Sequence, residues 1–586
     1  MLGLSPRGIK LNALRDWLQL CYTNHGAFCS GEYNDQPQGW AGPQLFIDVQ
    51  RHCLVPAESP SRYVALSYVW GNSQSSCTTR ENVDTLRQNG KLMDGPCQLN
   101  AMDKIYANSF FTIIAAQNDD ASAGLYGDRS LLEDWSLDEE SHQLGPPPGL
   151  EWALTNCQNT RQVMLGHARR LMRTRWYSRA WTFQEHLFAP RKIVFHDNTV
   201  NWECLCASWH EGQDLANIID HWGPDRHDAA VPPRLLSAPR TGFHCSTWPD
   251  MFRYSRLVSM YNRRDLSFPE DILDAFTGTL SYLSRSFEGG FISGLPQFCF
   301  DAALLWQPWD ALERRISVRR SPAESILPSW SWIGWSGTLN SESWRSASTY
   351  QHREREGSGN EIACSWFTQS TVSWIHSETL EGKLRPVRVS KLVSQPPLEA
   401  ANGEIPRGWY RQMKEGGEVD YRHDCDPIME FRYPIPIRDQ HRAHIPPMSS
   451  RYLHAKTRFG TFKLGEAYAS TASACTAVDI LDNNGGWCGA LRMNRSASED
   501  SRSLYLDMAV ELVEISAGSV ENQAIEEQSF DEWNRPQCPR RSGCYRFYNV
   551  LWIERIDGIA YRKALGRVEE KTWDTLADQM TDLVLG

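Results

Sequence analysis

The sequence predicts an α/β amino-terminal part built on a parallel sheet, then a small helical segment, then a β-rich carboxyl-terminal region. Three observations carry that prediction. Two almost wholly apolar runs, "YVALSYVWG" at Tyr63–Gly71 and "FFTIIAA" at Phe110–Ala116, have the texture of parallel-sheet strands buried on both faces. Short helical patterns stand beside them. Further on, alternating aromatic and paired apolar runs take over, and 24 tryptophans supply bulk for thick sheet cores.

Taken in order, Asn12–Cys21 reads as an amphipathic helix, with Leu14, Trp17, Leu18 and Cys21 at helical spacing. A polar loop follows to Pro43, and "LFIDV" at Leu45–Val49 reads as a strand. Met102–Asn108 is helical and leads into the second apolar run, while Ser130–Gly149, acidic and then proline-rich, is a loop. Trp181–Leu187 fits a helix, and "RKIVFHDNTVNWEC" fits a hairpin turning at Asp197-Asn198. Phe252–Tyr261 and Asp271–Leu283 read as helices. "PSWSWIGWSG" at Pro328–Gly337 alternates with period two, which predicts a strand with one aromatic face. Gly357–Glu418 is polar and loop-rich. "NVLWIERIDGIAYRKALGRV" joins two apolar runs through Asp557-Gly558, a hairpin signal. The segments so defined are 1–44, 45–222, 223–300 and 301–586, and no internal repeat divides them.

A net charge of −11 argues against whole-chain binding to nucleic acid or anionic membranes. No apolar run approaches the roughly 18 residues of a membrane span. The start lacks the apolar core of a signal peptide, so a cytoplasmic chain with mostly reduced cysteines, 16 in all, is expected.

Several groups invite a chemical reading. Cys21, His25 and Cys29 fall at i, i+4 and i+8, but Gly26 interrupts the helical pattern and no fourth ligand follows at a standard spacing, so no metal is assigned. Cys204-x-Cys206 has no second pair to accompany it. Neither a Gly-x-Ser-x-Gly elbow nor a phosphate-binding loop is present, which removes the usual hooks for acyl transfer and nucleotide hydrolysis. The tryptophans of "SWSWIGWSG" are expected in a core rather than against a sugar.

Six arginines (Arg161, Arg169, Arg170, Arg173, Arg175 and Arg179) lie between Thr155 and Gln184 without an acid among them. Their forks suit phosphate, although a solvated face opposite the acidic run Glu133–Glu140 is the favoured reading. Glu185 follows, among Trp181, Phe183, Leu187 and Phe188. A carboxylate desolvated there could stabilise positive charge at a sugar carbon; the plainer alternative is an acid paired to Arg179 or Arg191.

Three blocks, "YVALSYVWG", "MDKIYANSFFTIIAAQNDDASAGL" (Met102–Leu125) and "SRAWTFQEHLFAPRKIVFHDNTVNWEC" (Ser178–Cys204), resemble those of the fungal heterokaryon incompatibility (HET) domain, in its order. "PSWSWIGW" and the Asp557-Gly558 hairpin resemble elements that often follow that domain. The resemblance assigns 45–222 to an incomplete HET domain after an N-terminal helix and loop, with a helical connection at 223–300 and the β-rich region at 301–586. It implies self/non-self recognition after hyphal fusion and the triggering of programmed cell death. It also implies a protein partner, an incompatibility or NLR-type regulator, or self-association.

The HET domain is in turn similar to the TIR fold, a doubly wound parallel sheet. In TIR domains that cleave NAD, a glutamate stands four residues after a tryptophan. Ser178, Trp181 and Glu185 keep that spacing, with Thr182 where a cysteine is usual. The resemblance thus implies Glu185 as catalytic, assisted by Ser178 and Trp181. Arg175, Arg179, Tyr68 and Trp70 are then candidates for holding NAD, a substrate rather than a resident cofactor. About one βαβ unit of the family pattern is absent between Thr79 and Met102. The alternatives are a signalling module without chemistry and an inactive product of a truncated domain.

Overall fold

The computed structural model describes residues 11–30, 43, 45–71, 102–120, 167–210, 246–318, 327–350, 366–390, 393, 405–439, 443–494, 505–521, 535–538 and 544–586, apart from short gaps at 52, 58–61, 118, 197–198, 206, 414–418 and 471–472. The expected loop at Ser130–Gly149, Arg161, the Glu133–Glu140 run, the Asp197-Asn198 turn and Cys206 lie outside the described residues. The chain forms two compact units, Met1–His244 with Asp274–Gly278, and Cys245–Leu273 with Thr279–Gly586.

The first unit begins with helix α1 (Leu11–Ser30) and a hairpin of β1 (Leu45–Asp48) and β2 (Cys53–Pro56). Then come β3 (Val64–Tyr68), α2 (Met102–Ala107), β4 (Phe111–Ala115), α3 (Arg175–Ser178), α4 (Trp181–Phe188), β5 (Arg191–His196), β6 (Thr199–Cys204) and β7 (Ser208–His210). Strands β3 to β7 form one sheet in chain order; β3, β4 and β5 run parallel, and β6 and β7 return antiparallel.

Strand alternation sends the side chains to two faces. On one, Ile193, Phe195, Val200, Trp202 and Cys204 pack against Trp17, Cys21 and Cys29 of α1. On the other, Ile114 and Val194 pack against Leu171, Trp176 and Tyr177. Two expectations are corrected here. Helix α1 does not stop at Cys21 but runs through Gly26 to Ser30. Strand β3 is buried on one face only: Ala65 and Ser67 point inward, whereas Val64 and Leu66 are 46% and 53% exposed. An unbroken apolar run cannot distinguish the two cases, because β-branched and leucyl side chains suit either.

Beyond β3, Gly71 turns the chain at φ +67°. A Cβ there would lie 2.2 Å from Asp120 Oδ2 and 2.7 Å from Asp120 Cα. Gly71→Ala is therefore expected to destabilise the first unit by about 2–4 kcal/mol, from the left-handed backbone and the collision together. A thermal melt with an unchanged midpoint would show that the Gly71–Asp120 approach is loose.

The second unit is built on a ten-stranded sheet. Within it, strands 509–520, 545–556, 559–569, 487–493, 476–481 and 452–469 pair in that order, and 452–469 pairs back with 509–520. The ladder thus closes on itself, which leaves those strands no free edge. Phe462, Leu464, Ile480, Leu512, Val550 and Trp573 are among the side chains that fill its core. The hairpin at Asp557-Gly558 is as expected, both residues having positive φ (50° and 78°) between paired Ile556 and Ile559.

The aromatic alternation at Pro328–Gly337 is not a strand. Trp332–Gly334 is a 3₁₀ turn capped by Ser331, and only Trp335–Ser336 is extended. Each indole N–H has a separate target: Trp330 donates to Arg451 O, Trp332 to Tyr254 OH and Trp335 to Ser329 O. Satisfying three buried donors in three directions decides the backbone here, over propensity. Likewise Asp271–Leu283 is not one helix but two 3₁₀ turns, Pro269–Ile272 and Asp274–Phe276, followed by the helix Thr277–Leu283.

One buried acid gives the second unit a pH dependence. Asp301 is 4% exposed, and its Oδ1 accepts from Trp374 Nε1 at 3.1 Å. Burial pushes its carboxyl from 3.8 up to about 6, against the opposing bonds from Ser370 and Trp374. The folded state therefore holds this proton more tightly than the unfolded chain. The stability it contributes is complete below about pH 4 and is lost as pH rises through about 6. Asp301→Asn keeps a carbonyl for Trp374, so it should stabilise this unit by about 2–3 kcal/mol at pH 7 and by little at pH 4. Urea unfolding at the two pH values checks this; equal gains at both would rule it out.

Candidate functional site

The site is assembled where α3 and α4 cover the parallel strands. Thr174 caps α3, accepting from Tyr177 N at 3.2 Å. Ala180 offers α4 no side-chain cap; instead Thr182 Oγ1 donates to Trp176 O at 2.7 Å and ties the first turn of α4 to α3. From Thr182 to Phe188 every residue of α4 is buried. Gln184 fixes the helix from its other side, donating through Nε2 to Ala275 O at 2.7 Å and accepting from Gly278 N at 3.1 Å.

Glu185, 8% exposed, faces β3. The Ser67 hydroxyl donates to its Oε2, and Ser67 Oγ accepts from Trp176 Nε1 at 2.6 Å. Trp176 and Ser67 are 0% and 1% exposed, so the indole–hydroxyl–carboxylate relay lies almost wholly out of water. Hydrogen bonds in such surroundings are electrostatically stronger than in solvent and fix the acceptor in place.

The next residue begins a second network. His186 Nε2 lies 3.2 Å from Glu203 Oε2, and its ring meets Trp176 edge-on at 5.8 Å. Lys192, fully buried, donates to His186 O at 2.8 Å and stands 3.9 Å from Glu203 Oε2. Lys192 and Glu203 are direct partners across the β5–β6 ladder. Burial pulls the Lys192 ammonium down to about 8, with Glu203 opposing. For Glu203, burial favours the neutral acid, but the bond and charge of His186 with the charge of Lys192 outweigh it and hold the carboxylate at about 2.

A third group sits where the parallel strands end. His196 closes β5, its Nε2 3.1 Å from Asn201 Nδ2 and its ring edge-on to His167 at 5.4 Å. Arg170 Nη2 lies 3.2 Å from His167 Nδ1. Tyr68 and Trp70, at the same end of β3, stack with centroids 5.5 Å apart. Crevices at the carboxyl ends of parallel strands are the usual ligand sites of open α/β sheets.

The residues expected from the sequence are distributed as follows. Trp181 is half-buried at the start of α4, one turn before Glu185. Ser178 Oγ donates to Arg175 O at 3.1 Å, within α3; the serine brought to Glu185 is Ser67. Arg175 is exposed and Arg179 half-buried. Arg169, Arg170 and Arg173 are exposed too, while the acidic run expected opposite them lies outside the described residues. Arg191 lies on the sheet face opposite Glu185, donating to Phe110 O at 3.2 Å. Ser67, Trp176, His186, Lys192 and Glu203 were not singled out. The signal for Ser67 was its place as the only serine in an apolar run, on the inward side with Ala65 and Val69.

On the other face, the structure adds Cys204 to Cys21, His25 and Cys29, the fourth group that local spacing did not offer.

A profile of the heterokaryon incompatibility protein (HET) family matches residues 86–185, ending on Glu185. No curated protein and no solved structure matches the chain.

Proposed function

We propose, on the premise that this chain contains a HET domain with a heterokaryon-incompatibility-type role, that it is a fungal self/non-self recognition protein whose amino-terminal unit triggers cell death by cleaving NAD. The observation that carries this reading is the buried Glu185 carboxylate, aimed by Ser67 and Trp176 beneath the carboxyl ends of the parallel strands. The fold it implies is a TIR-like doubly wound sheet; three parallel strands with helices on both faces support that.

In the proposed reaction the bond between ribose C1′ and the nicotinamide nitrogen breaks, and its electron pair leaves with nicotinamide, neutralising the pyridinium. Positive charge develops on the ribosyl C1′–O4′ unit. A fixed carboxylate opposite that charge stabilises the transition state more than the ground state. Water then adds to C1′ and releases a proton, leaving ADP-ribose. Tyr68 and Trp70 offer stacking faces, and Arg175 and Arg179 offer guanidinium forks for the pyrophosphate. The setting is the cytoplasm, and the trigger is a protein partner, an incompatibility or NLR-type regulator, or a second copy. No described helix is long and apolar enough to cross a membrane.

A second reading, an interaction module without chemistry, is favoured by one observation: Val64 and Leu66 expose an apolar strip on β3. Induced expression separates the two. NAD loss and growth arrest that both vanish in Glu185→Gln support the enzyme; arrest that survives Glu185→Gln but vanishes in Leu66→Lys supports the module.

A further inference from the structure

The opposite face of the sheet carries a different kind of site. Cys21, His25 and Cys29 are one helical turn apart along α1, so they share a stripe of that helix. Cys204, the last residue of β6, meets them from the sheet, 179 positions from His25 in the chain. All four are buried, at 0%, 5%, 0% and 2% exposure in order along the chain. Their donor atoms, three sulfurs and one imidazole nitrogen, lie within 4.8 Å of one another. None of the three cysteines is joined in a disulfide.

We infer that Cys21, His25, Cys29 and Cys204 form a structural zinc site that fastens α1 to the sheet.

Convergence is the main argument. An ideal helix spaces the Cα atoms of Cys21 and Cys29 by about 12 Å, yet their sulfurs close to within 4.8 Å, from the turns before and after His25. In a tetrahedron with Zn–S near 2.3 Å and Zn–N near 2.0 Å, donor atoms stand about 3.5–3.8 Å apart. His25 Nδ1 lies 3.5 Å from Cys204 Sγ, already at that separation. The donor set decides the metal. Three thiolates and an imidazole are soft ligands in tetrahedral array, which suits zinc and excludes magnesium or calcium. With four protein donors and no exposed member, the site has no open position for substrate, so its role is structural.

The surroundings fit the same reading. The His25 ring stacks on Trp209 at 5.9 Å and 29°, and Trp209 stacks on Trp202, so the imidazole is braced by indoles. Three thiolates around a divalent cation leave net negative charge. Arg191, 2% exposed, is the residue directly opposite Cys204 on the β5–β6 ladder, with its Nη1 turned to Phe110 O at 3.2 Å. On binding, the thiols release their protons to solvent as zinc takes their place.

The test uses the full chain, purified under reducing conditions from zinc-supplemented cells. Elemental analysis should find about one zinc per chain, and exchange with Co²⁺ should give the visible bands of a tetrahedral thiolate site. Cys204→Ser should lower zinc content at least about fivefold, whereas Cys53→Ser, at a half-buried cysteine outside the cluster, should leave it unchanged. If Cys204→Ser does not fold, the wild-type chain still decides. Alkylation should spare Cys21, Cys29 and Cys204 until a chelator or mercurial releases the metal, while Cys53 reacts throughout. Negligible zinc with no cobalt spectrum, or a disulfide mapped between any two of the cluster cysteines in the zinc-supplemented protein, overturns the inference.

Discussion

Glu185→Gln is expected to lower the proposed NAD cleavage by about 100- to 1,000-fold, the cost of losing one preorganised electrostatic contact to a transition state. The substitution is chosen because it removes charge and little else. Glutamine has the same length, and its carbonyl oxygen can accept the Ser67 hydroxyl as Oε2 does now, so the bond from Trp176 to Ser67 need not move. The variant should therefore melt with the wild-type chain. Ser67→Ala tests the relay from the other end. It leaves the charge and removes the Ser67 bond that aims the carboxylate, so a loss of roughly tenfold is expected, from misplacement alone. Nicotinamide release by the purified chain reads both. An unchanged rate in Glu185→Gln would remove the enzymatic role and leave the strip on β3 as the basis of function.

The sequence made local structure legible where local forces decide it. Asp557-Gly558 dictates its hairpin because few other pairs accept positive φ at two successive positions. Trp181–Leu187 was readable as a helix, and Glu185 within it as a desolvated acid, because its neighbours are apolar. What completes the site was not readable. Ser67 stands 118 residues before Glu185 and Trp176 109 residues after Ser67, so their meeting is a consequence of strand pairing and not of spacing. The same holds for Cys204. The i, i+4, i+8 stripe was visible, but its fourth member comes from a strand, which ligand-spacing rules within one segment do not see. The period-two tryptophans misled for a related reason: two of their indole donors found partners on distant segments and the third within the stretch itself, and that requirement outweighed the alternation.

In the second unit the largest stability effect is expected at Trp573, in the short helix Glu570–Leu576 that the closed sheet receives into its core. Its side chain is 0% exposed and lies parallel to Phe462, centroids 5.5 Å apart at 2°. Its Nε1 donates to Glu514 Oε2 at 2.8 Å, an acid only 3% exposed. Arg458 holds the same oxygen at 2.7 Å and reaches Asp574 at 2.8 Å. Trp573→Ala removes the packing and leaves a cavity, and it takes one of the two donors from a buried carboxylate. Together these should cost about 4–6 kcal/mol. Trp573→Phe keeps an aromatic ring against Phe462 and loses mainly the N–H, so about 1–2 kcal/mol is expected. Chemical denaturation should rank the three chains in that order. Were the alanine variant within about 1 kcal/mol of wild type, the helix would not be a plug of this core but a surface element whose indole is dispensable.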